Sequence, residues 1–515
     1  LRAPFSPGAQ LTGVTTGATA TVTAVPDVTM IYYGANDGML HAVRDTNGTE
    51  AWGFVPPNQL ARLKLMVEAT GHQYYVDSSP RIHLHDVNGN GFIDLADGDK
   101  VILVSGERKG SSGFFALDVT SPEAPKLLWR INRLNDLAYA APDHVISQLG
   151  ESWSEPRFGK VKTAAADTMG TPVMVVGGGY SATNATGRAV LIINVLTGAP
   201  VRIFENDTDG NVNTGSNITG MNFSIPSAVR AMDTDRNGFL DKIYVGDMGG
   251  QVWRIGRFDK DEQGNDIFFP KANENIHDWK GQRIFTAGCN ETSCTDGVDN
   301  NGNGLIDEWR RFFYPPTVAL EVGHDLVLMG SGDRENPCHW HTADEVYGIR
   351  DDHSLQPNIL PPPTAWTRSD LTDVTNFAPV DPARKGWLLR LNPGEKVLAE
   401  GTVFYGVYYF TTFTPNNDPC LPGGLATLYA VDYRNAGAVL DFDEGTEGLE
   451  RGLVIGGGIP SRPVIVISDR AVGMFTSVGS TNPDEDSPAL GAGIIKPKML
   501  EPPVNFHYIW WKSFK

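Results

Sequence analysis

The sequence predicts an all-β chain built as a β-propeller of about seven blades with long inserted loops. Three observations point there. Short β-branched and aromatic runs ended by glycine recur at a spacing of roughly forty to fifty residues, the self-similarity of propeller blades. Gly 57 and Pro 34 are abundant without a collagen-like period, as expected of many short strands joined by turns. The order inside each unit also repeats: a strand, a glycine turn, an Ala-x-Asp strand and a tryptophan strand. A large β-sandwich accounts for the strands but not for that repeated order.

Taken in order, residues 1–27 are small and polar and read as a lead-in, with the propeller occupying 28–515. The first unit pairs strands on either side of Asn36, Asp37 and Gly38, then adds a third over 50–55 that carries Trp52. The pattern returns at 100–106, 113–118 and 127–130, and again at 173–179, 189–194 and 201–204. It continues at 242–246 with 251–255, 326–330 with 345–349, 403–413 with 426–432, and 463–468 with 471–475. That makes about seven units, inside the usual blade range. Helix is scarce. Only 58–69 reads as one, capped by Asn58 with Leu60, Leu63, Met66 and Val67 on one face. Long excursions near 258–313 and 353–385 interrupt the blades, and loops of that length are functional or mobile. The aromatic tail 505–511 is expected to pack as a strand.

Composition narrows the function. A formal net charge of −19 with pI near 5.0 argues against a nucleic-acid partner, because binding phosphate needs a basic face. It suits a soluble protein that tolerates or recruits cations. No apolar run approaches membrane-spanning length. The opening Leu1-Arg2-Ala3-Pro4 carries no leader pattern and reads as lying inside a longer protein. Export is therefore inferred from disulfides and calcium loops. The four cysteines Cys289, Cys294, Cys338 and Cys420 allow three pairings. Cys289–Cys294 with Cys338–Cys420 is favoured, because the first pair closes a tiny loop. Cys338, His339 and His341 lack a second ligand pair at finger spacing. The triplets at 177–179 and 456–458 lack the Lys-Ser/Thr of a phosphate loop and read as strand-end turns. There is no Gly-x-Ser-x-Gly elbow and no carboxylate pair set up for acid–base work.

The sharpest chemical signal is the run from Asp233 to Asp241. Asp233, Asp235 and Asn237 alternate, Gly238 permits a sharp turn, Phe239 offers only its carbonyl, and Asp241 closes the set. Calcium takes about six to eight hard oxygen ligands at roughly 2.3–2.6 Å, and a short loop supplies them by curling around the ion. Position twelve, the closing acid of an EF-hand, is here Tyr244, so closure falls at Asp241 and suits a loop between strands. A solvated Asx-rich turn is the alternative reading. Two further runs share the spacing: Asp86, Asn88, Asn90, Phe92 and Asp94, and Asp299, Asn301, Asn303, Leu305 and Asp307. Each has fewer aspartates than the 233–241 loop and should bind calcium more weakly, with a metal-free turn as its competitor.

The run from Gly34 to Ala42 with Val55-Pro56-Pro57, Tyr75 to Pro80, and Asp233 to Asp241 leading into Gly246 to Arg254 together resemble the PilY family associated with type IV pili. The match is good over about 28–258 and rests on the repeat pattern beyond. The resemblance implies a modified, quinoprotein-like β-propeller at the cell surface or pilus tip, exported through the periplasm and outer membrane or secreted. Its calcium loop would regulate pilus extension against retraction and support adhesion and twitching motility. It implies pilins or minor pilins and a host or abiotic surface as partners. It also implies calcium as the cofactor, held by Asp233, Asp235, Asn237, the Phe239 carbonyl and Asp241. The insertion carrying Cys289 and the 299–307 run departs from the family pattern. Two other classes stand beside this one: a quinone-dependent dehydrogenase on the same propeller, and a calcium-stabilised adhesin without a pilus role. Against the enzyme, the vicinal cysteine pair common in quinone dehydrogenases is missing, so no catalytic residue and no quinone are expected.

Overall fold

The fold is seen in a computed structural model, which describes residues 10–12, 19–21, 29–133, 143–164, 166–206, 215–260, 266–268, 275–288, 309–339, 342–352, 365–416, 423–441, 448–467, 472–479 and 493–495. Among these, seven sheets follow one another along the chain after a short hairpin of Gln10–Thr12 with Thr19–Thr21. The first sheet holds Met30–Gly34, Leu40–Arg44 and Glu50–Phe54, and the last holds Val464–Ile467, Val472–Val478 and Gly493–Ile495. The five between them have five or six strands each.

The burial pattern explains why these strands form blades. In Lys100–Gly106 the residues from Ile102 to Gly106 are all buried, without the in–out alternation of a sheet with one wet face. Both faces of such inner strands must therefore be covered, whereas outer strands such as Met30–Gly34 and Val464–Ile467 keep exposed residues. Six apolar clusters provide the cover, each joining one sheet to the next: Leu40 with Leu103, Ile102 with Met174, Val175 with Ile243, Tyr244 with Val327, Leu328 with Phe410, and Tyr409 with Met474. The repeated tryptophans add polar stitches. Trp52 Nε1 donates to Pro122 O at 2.7 Å, Trp129 Nε1 to Val195 O at 2.8 Å and Trp387 Nε1 to Tyr433 O at 3.1 Å. Each reaches a turn of the following blade, so the tryptophan strand sets blade spacing and satisfies its own donor. The segments leading into the first strands of six sheets converge on one cavity of about 610 Å³, the centre of the ring.

Several sequence expectations change. Residues 58–69 are not one helix but a 3-10 turn, Pro57–Arg62, followed by a single α turn, Leu65–Glu68. Asn58 is not its cap: its Nδ2 donates to Glu107 Oε2 at 2.7 Å and Ser111 Oγ at 2.9 Å. Leu60 and Val67 are exposed, so no apolar face drives a longer helix. The run 403–413 is broken into Thr402–Phe404 and Val407–Pro415 by Tyr405 (φ 50°) and Gly406 (φ 82°), the positive pair of a tight hairpin. The excursions contribute to the blades. Trp279–Thr286 is a full strand of the fourth sheet, while Trp366–Thr367 and Thr372–Asp373 add parallel edges to the fourth and fifth. Cys338 is an exposed free cysteine in a turn. Cys420, Cys289, Cys294 and the tail 505–511 lie outside the described residues.

Candidate metal centre

Residues 233–241 connect the first strand of the fourth sheet, Arg230–Met232, to its second, Lys242–Gly246. The strand register holds both ends of the loop: Met232 pairs with Lys242, and Asp241 N donates to Met232 O at 2.9 Å. The loop is also clamped to the third sheet. Leu240 N donates to Lys160 O at 2.8 Å, and Leu240 lies so close that a Cβ on Gly159 would sit 2.6 Å from its Cγ. The Phe239 ring covers Gly170 and has Lys162 Nζ 4.6 Å from its centroid.

Within that frame the backbone curls around its own acids. Asp233 accepts from Asn237 N at 3.0 Å and Gly238 N at 2.7 Å, one on each oxygen. Asp235 accepts from Asn237 N at 3.1 Å and Asn237 Nδ2 at 2.9 Å, while Asn237 Oδ1 accepts from Phe239 N at 2.9 Å. Gly238 sits at φ 91°, as its place in the turn requires, and Arg236 is forced to φ 62°. Carboxylate oxygens of Asp233, Asp235 and Asp241 come within 4.8 Å of one another. Asp241 is buried, and its Oδ2 accepts from Thr234 N and Thr234 Oγ1, both at 2.7 Å. Its Oδ1 is buried with no hydrogen-bond partner. Burial pushes the Asp241 carboxyl above the ordinary carboxylate range, against the pull of the Thr234 bonds. Three converging acids and an orphaned buried oxygen fit a hard cation. The same set would be costly without one.

The 86–94 run occupies the same place in the second sheet, between Arg81–His85 and Lys100–Gly106. Its first seven residues repeat the network. Asp86 accepts from Gly89 N and Gly91 N, both at 2.7 Å, Asn88 Oδ1 from Asn90 N at 3.0 Å, and Asn90 Oδ1 from Phe92 N at 2.8 Å. Asp94 does not close it. Its side chain accepts from Ala96 N at 2.9 Å and caps the short 3-10 helix Leu95–Asp97. The place that Asp241 holds is taken by buried Asp99, which accepts from Val87 N at 2.8 Å and Asp94 N at 2.9 Å. Asp97 also joins the loop, accepting from Asn88 Nδ2 at 2.8 Å. The shared Asp-Lys dipeptides, Asp99-Lys100 and Asp241-Lys242, were the signal that could have found this. Asp299, Asn301, Asn303, Leu305 and Asp307 lie outside the described residues.

Fold and loop together define a β-propeller with an acidic, cation-ready loop between the first two strands of one blade. The chain belongs to the PilY1 β-propeller family, whose family model, described as the PilY1 beta-propeller domain, matches residues 3–302. It is 28% identical over 437 residues to a type IV pilus biogenesis factor PilY1 homolog of Xylella fastidiosa, covering 80% of this chain and 26% of that protein. It is 25% identical over 465 residues to the type IV pilus biogenesis factor PilY1 of Pseudomonas aeruginosa strain UCBPP-PA14, covering 78% of this chain and 35% of that one. The chain thus spans about a quarter to a third of the length of these relatives. The crystal structure of the Pseudomonas aeruginosa PilY1 C-terminal domain superposes with a TM-score of 0.61 at 20% identity, covering 89% of this chain and 94% of that one. That likeness is one of fold.

Proposed function

We propose that this propeller is the calcium-binding, non-enzymatic surface domain of a type IV pilus biogenesis factor. Calcium occupancy of the 233–241 loop regulates pilus extension against retraction and thereby supports adhesion and twitching motility. Its relatives are named as type IV pilus biogenesis factors, which supports the pilus setting. The single observation that carries the calcium reading is the buried, unpartnered Oδ1 of Asp241 beside the Asp233 and Asp235 carboxylates. Asp233, Asp235, Asn237, the Phe239 carbonyl and Asp241 would hold the ion. Calcium supplies the positive charge that lets the acids stay ionised together.

The chain's own residues explain why occupancy would matter beyond the loop. Leu240 and Phe239 lock onto the third sheet, so loop order bears on the seam between two blades. Lys242, next to the closing acid, runs into the neighbouring seam. Its Nζ lies 2.5 Å from Asp325, which also accepts from Tyr244 at 2.9 Å, and Tyr244 bonds onward to Asp351. Pilins or minor pilins and a host or abiotic surface are the proposed partners, and the cell surface or pilus tip the proposed location.

The test replaces the chromosomal gene with a full-length Asp241→Ala allele and compares sheared surface pili and twitching with wild type and a deletion strain. Altered piliation with normal protein level is expected. Wild-type piliation and twitching in the variant would remove the regulatory role.

A further inference from the structure

The central cavity of the ring has a charge character opposite to that of the chain. In a protein of net charge −19, the described residues that line the cavity include Arg81, Arg108, Arg157, Arg334 and Arg462 against Asp77, Glu155 and Glu400. The arginines come from four blades, Arg81 and Arg108 both from the second. Pro80-Arg81 and Pro156-Arg157 occupy the same place at the start of a first strand, and Ser461-Arg462 leads into another. Convergence of like charges from several blades stands at odds with solvation as isolated surface groups.

The pairing inside the cavity is incomplete. Glu400 alone serves three guanidinium groups: Arg157 at 3.0 Å, Arg462 at 3.3 Å and Arg230. Arg81 pairs with Glu155, yet the Nε donors of both Arg81 and Arg157 are buried without a hydrogen-bond partner. Arg108 is placed by other means. Its backbone is held at φ 49°, its guanidinium stacks over Trp153 at 4.2 Å, and its nearest acid, Asp77, is 3.8 Å away, beyond hydrogen-bond reach. A residue held at positive φ, with its guanidinium stacked on an aromatic wall rather than hydrogen-bonded to the nearby acid, is placed to contact a ligand.

We infer that the cavity binds an organic polycarboxylate, with Arg108 and Arg157 as anchoring residues. Glu400 shows that Arg157 and Arg462 are spaced to hold a carboxylate. The wall beside Arg108 is aromatic, with Trp153 and Phe313 at 5.8 Å between ring centroids, and Leu398 and Pro226 complete an apolar lining. That lining suits a carbon skeleton more than an inorganic ion. The cavity, at about 610 Å³, has room for a small acid of several carboxylates. The inference is independent of the metal loop, which lies at the far end of the first strand of its blade.

The test is calorimetry of the purified chain in calcium-free buffer with tricarballylate as probe and inorganic phosphate as the comparison anion. Saturable tricarballylate binding that is tighter than phosphate binding is expected, weakening as salt is raised. Arg108→Asn, whose side chain tolerates the positive φ, should lose about tenfold or more in affinity with its melting temperature and calcium response unchanged. Glu400→Gln should bind more tightly, a direction that misfolding does not produce. No binding of tricarballylate at millimolar concentration, equal binding of phosphate, or unchanged affinity in Arg108→Asn would each overturn the assignment.

Discussion

The 233–241 and 86–99 loops are the same turn closed in two ways. Both sit between the first and second strands of a blade, and both curl around a leading aspartate through matching bonds to the next residues. They part after the eighth residue. In one, Leu240 is followed at once by Asp241; in the other, residues 94–98 intervene between Ile93 and Asp99. The inserted turn supplies Asp94 N to Asp99, so that both Asp99 oxygens are satisfied from within the protein, whereas Asp241 keeps one oxygen bare. The second loop also has Asn88 where the first has Asp235. A shared turn thus leaves a buried carboxylate oxygen bare in one blade and is largely self-satisfied in another. The difference lies in the closing acid, not in the Asx spacing.

The comparison breaks most visibly at its closing acid. Ligand binding stabilises the folded state by about 2.7 kcal/mol at roughly a hundredfold excess over Kd, so calcium should raise the melting temperature of the wild-type chain. Asp241→Ala should lose most of that rise, as read by calorimetric melting with calcium against chelator. Asp99→Ala should show the converse. It strands the N–H groups of Val87 and Asp94 and should cost about 2 kcal/mol without calcium, while the calcium-dependent rise persists. A denaturant titration in chelator separates the two variants.

A sharper test converts one loop into the other. Removing residues 94–98 and changing Asn88→Asp in the second loop gives it three acids and direct closure at Asp99. A second calcium-binding event should then appear in calorimetry, its affinity rising by about tenfold with the added charge. The smallest expected effect is at Arg236, whose φ of 62° matches that of Gly89 at 71° in the other loop. Arg236→Gly should relieve left-handed strain but free the unfolded chain, leaving a net gain of about 0.5 kcal/mol or less.

Much of this was legible before any coordinates. Ala-x-Asp strands and blade tryptophans are local patterns with one structural meaning, and they located the sheets. The alternation Asp233, Asp235, Asn237 with Gly238 placed the first loop, because curling geometry follows from spacing alone. Asp99 was hidden because an insertion moved it out of that spacing, while Asp94, at the expected offset, turned out to cap a helix. The strands Trp366–Thr367 and Thr372–Asp373 are too short to carry a period. The break at Tyr405 and Gly406 lay inside a continuous β-forming run. The arginines of the central cavity are scattered along the chain and meet only when the ring closes, although the repeated Pro-Arg pairs at 80–81 and 156–157 were visible.

The central claim is that the bare oxygen of Asp241 completes a calcium site, and calcium titration calorimetry on the wild-type and Asp241→Ala chains tests it most directly. A saturable high-affinity binding event in the wild type that vanishes in a variant with unchanged circular dichroism is the expected result, any weaker events being common to both. Equal calcium affinity in the two proteins, or no binding in the wild type, would contradict it.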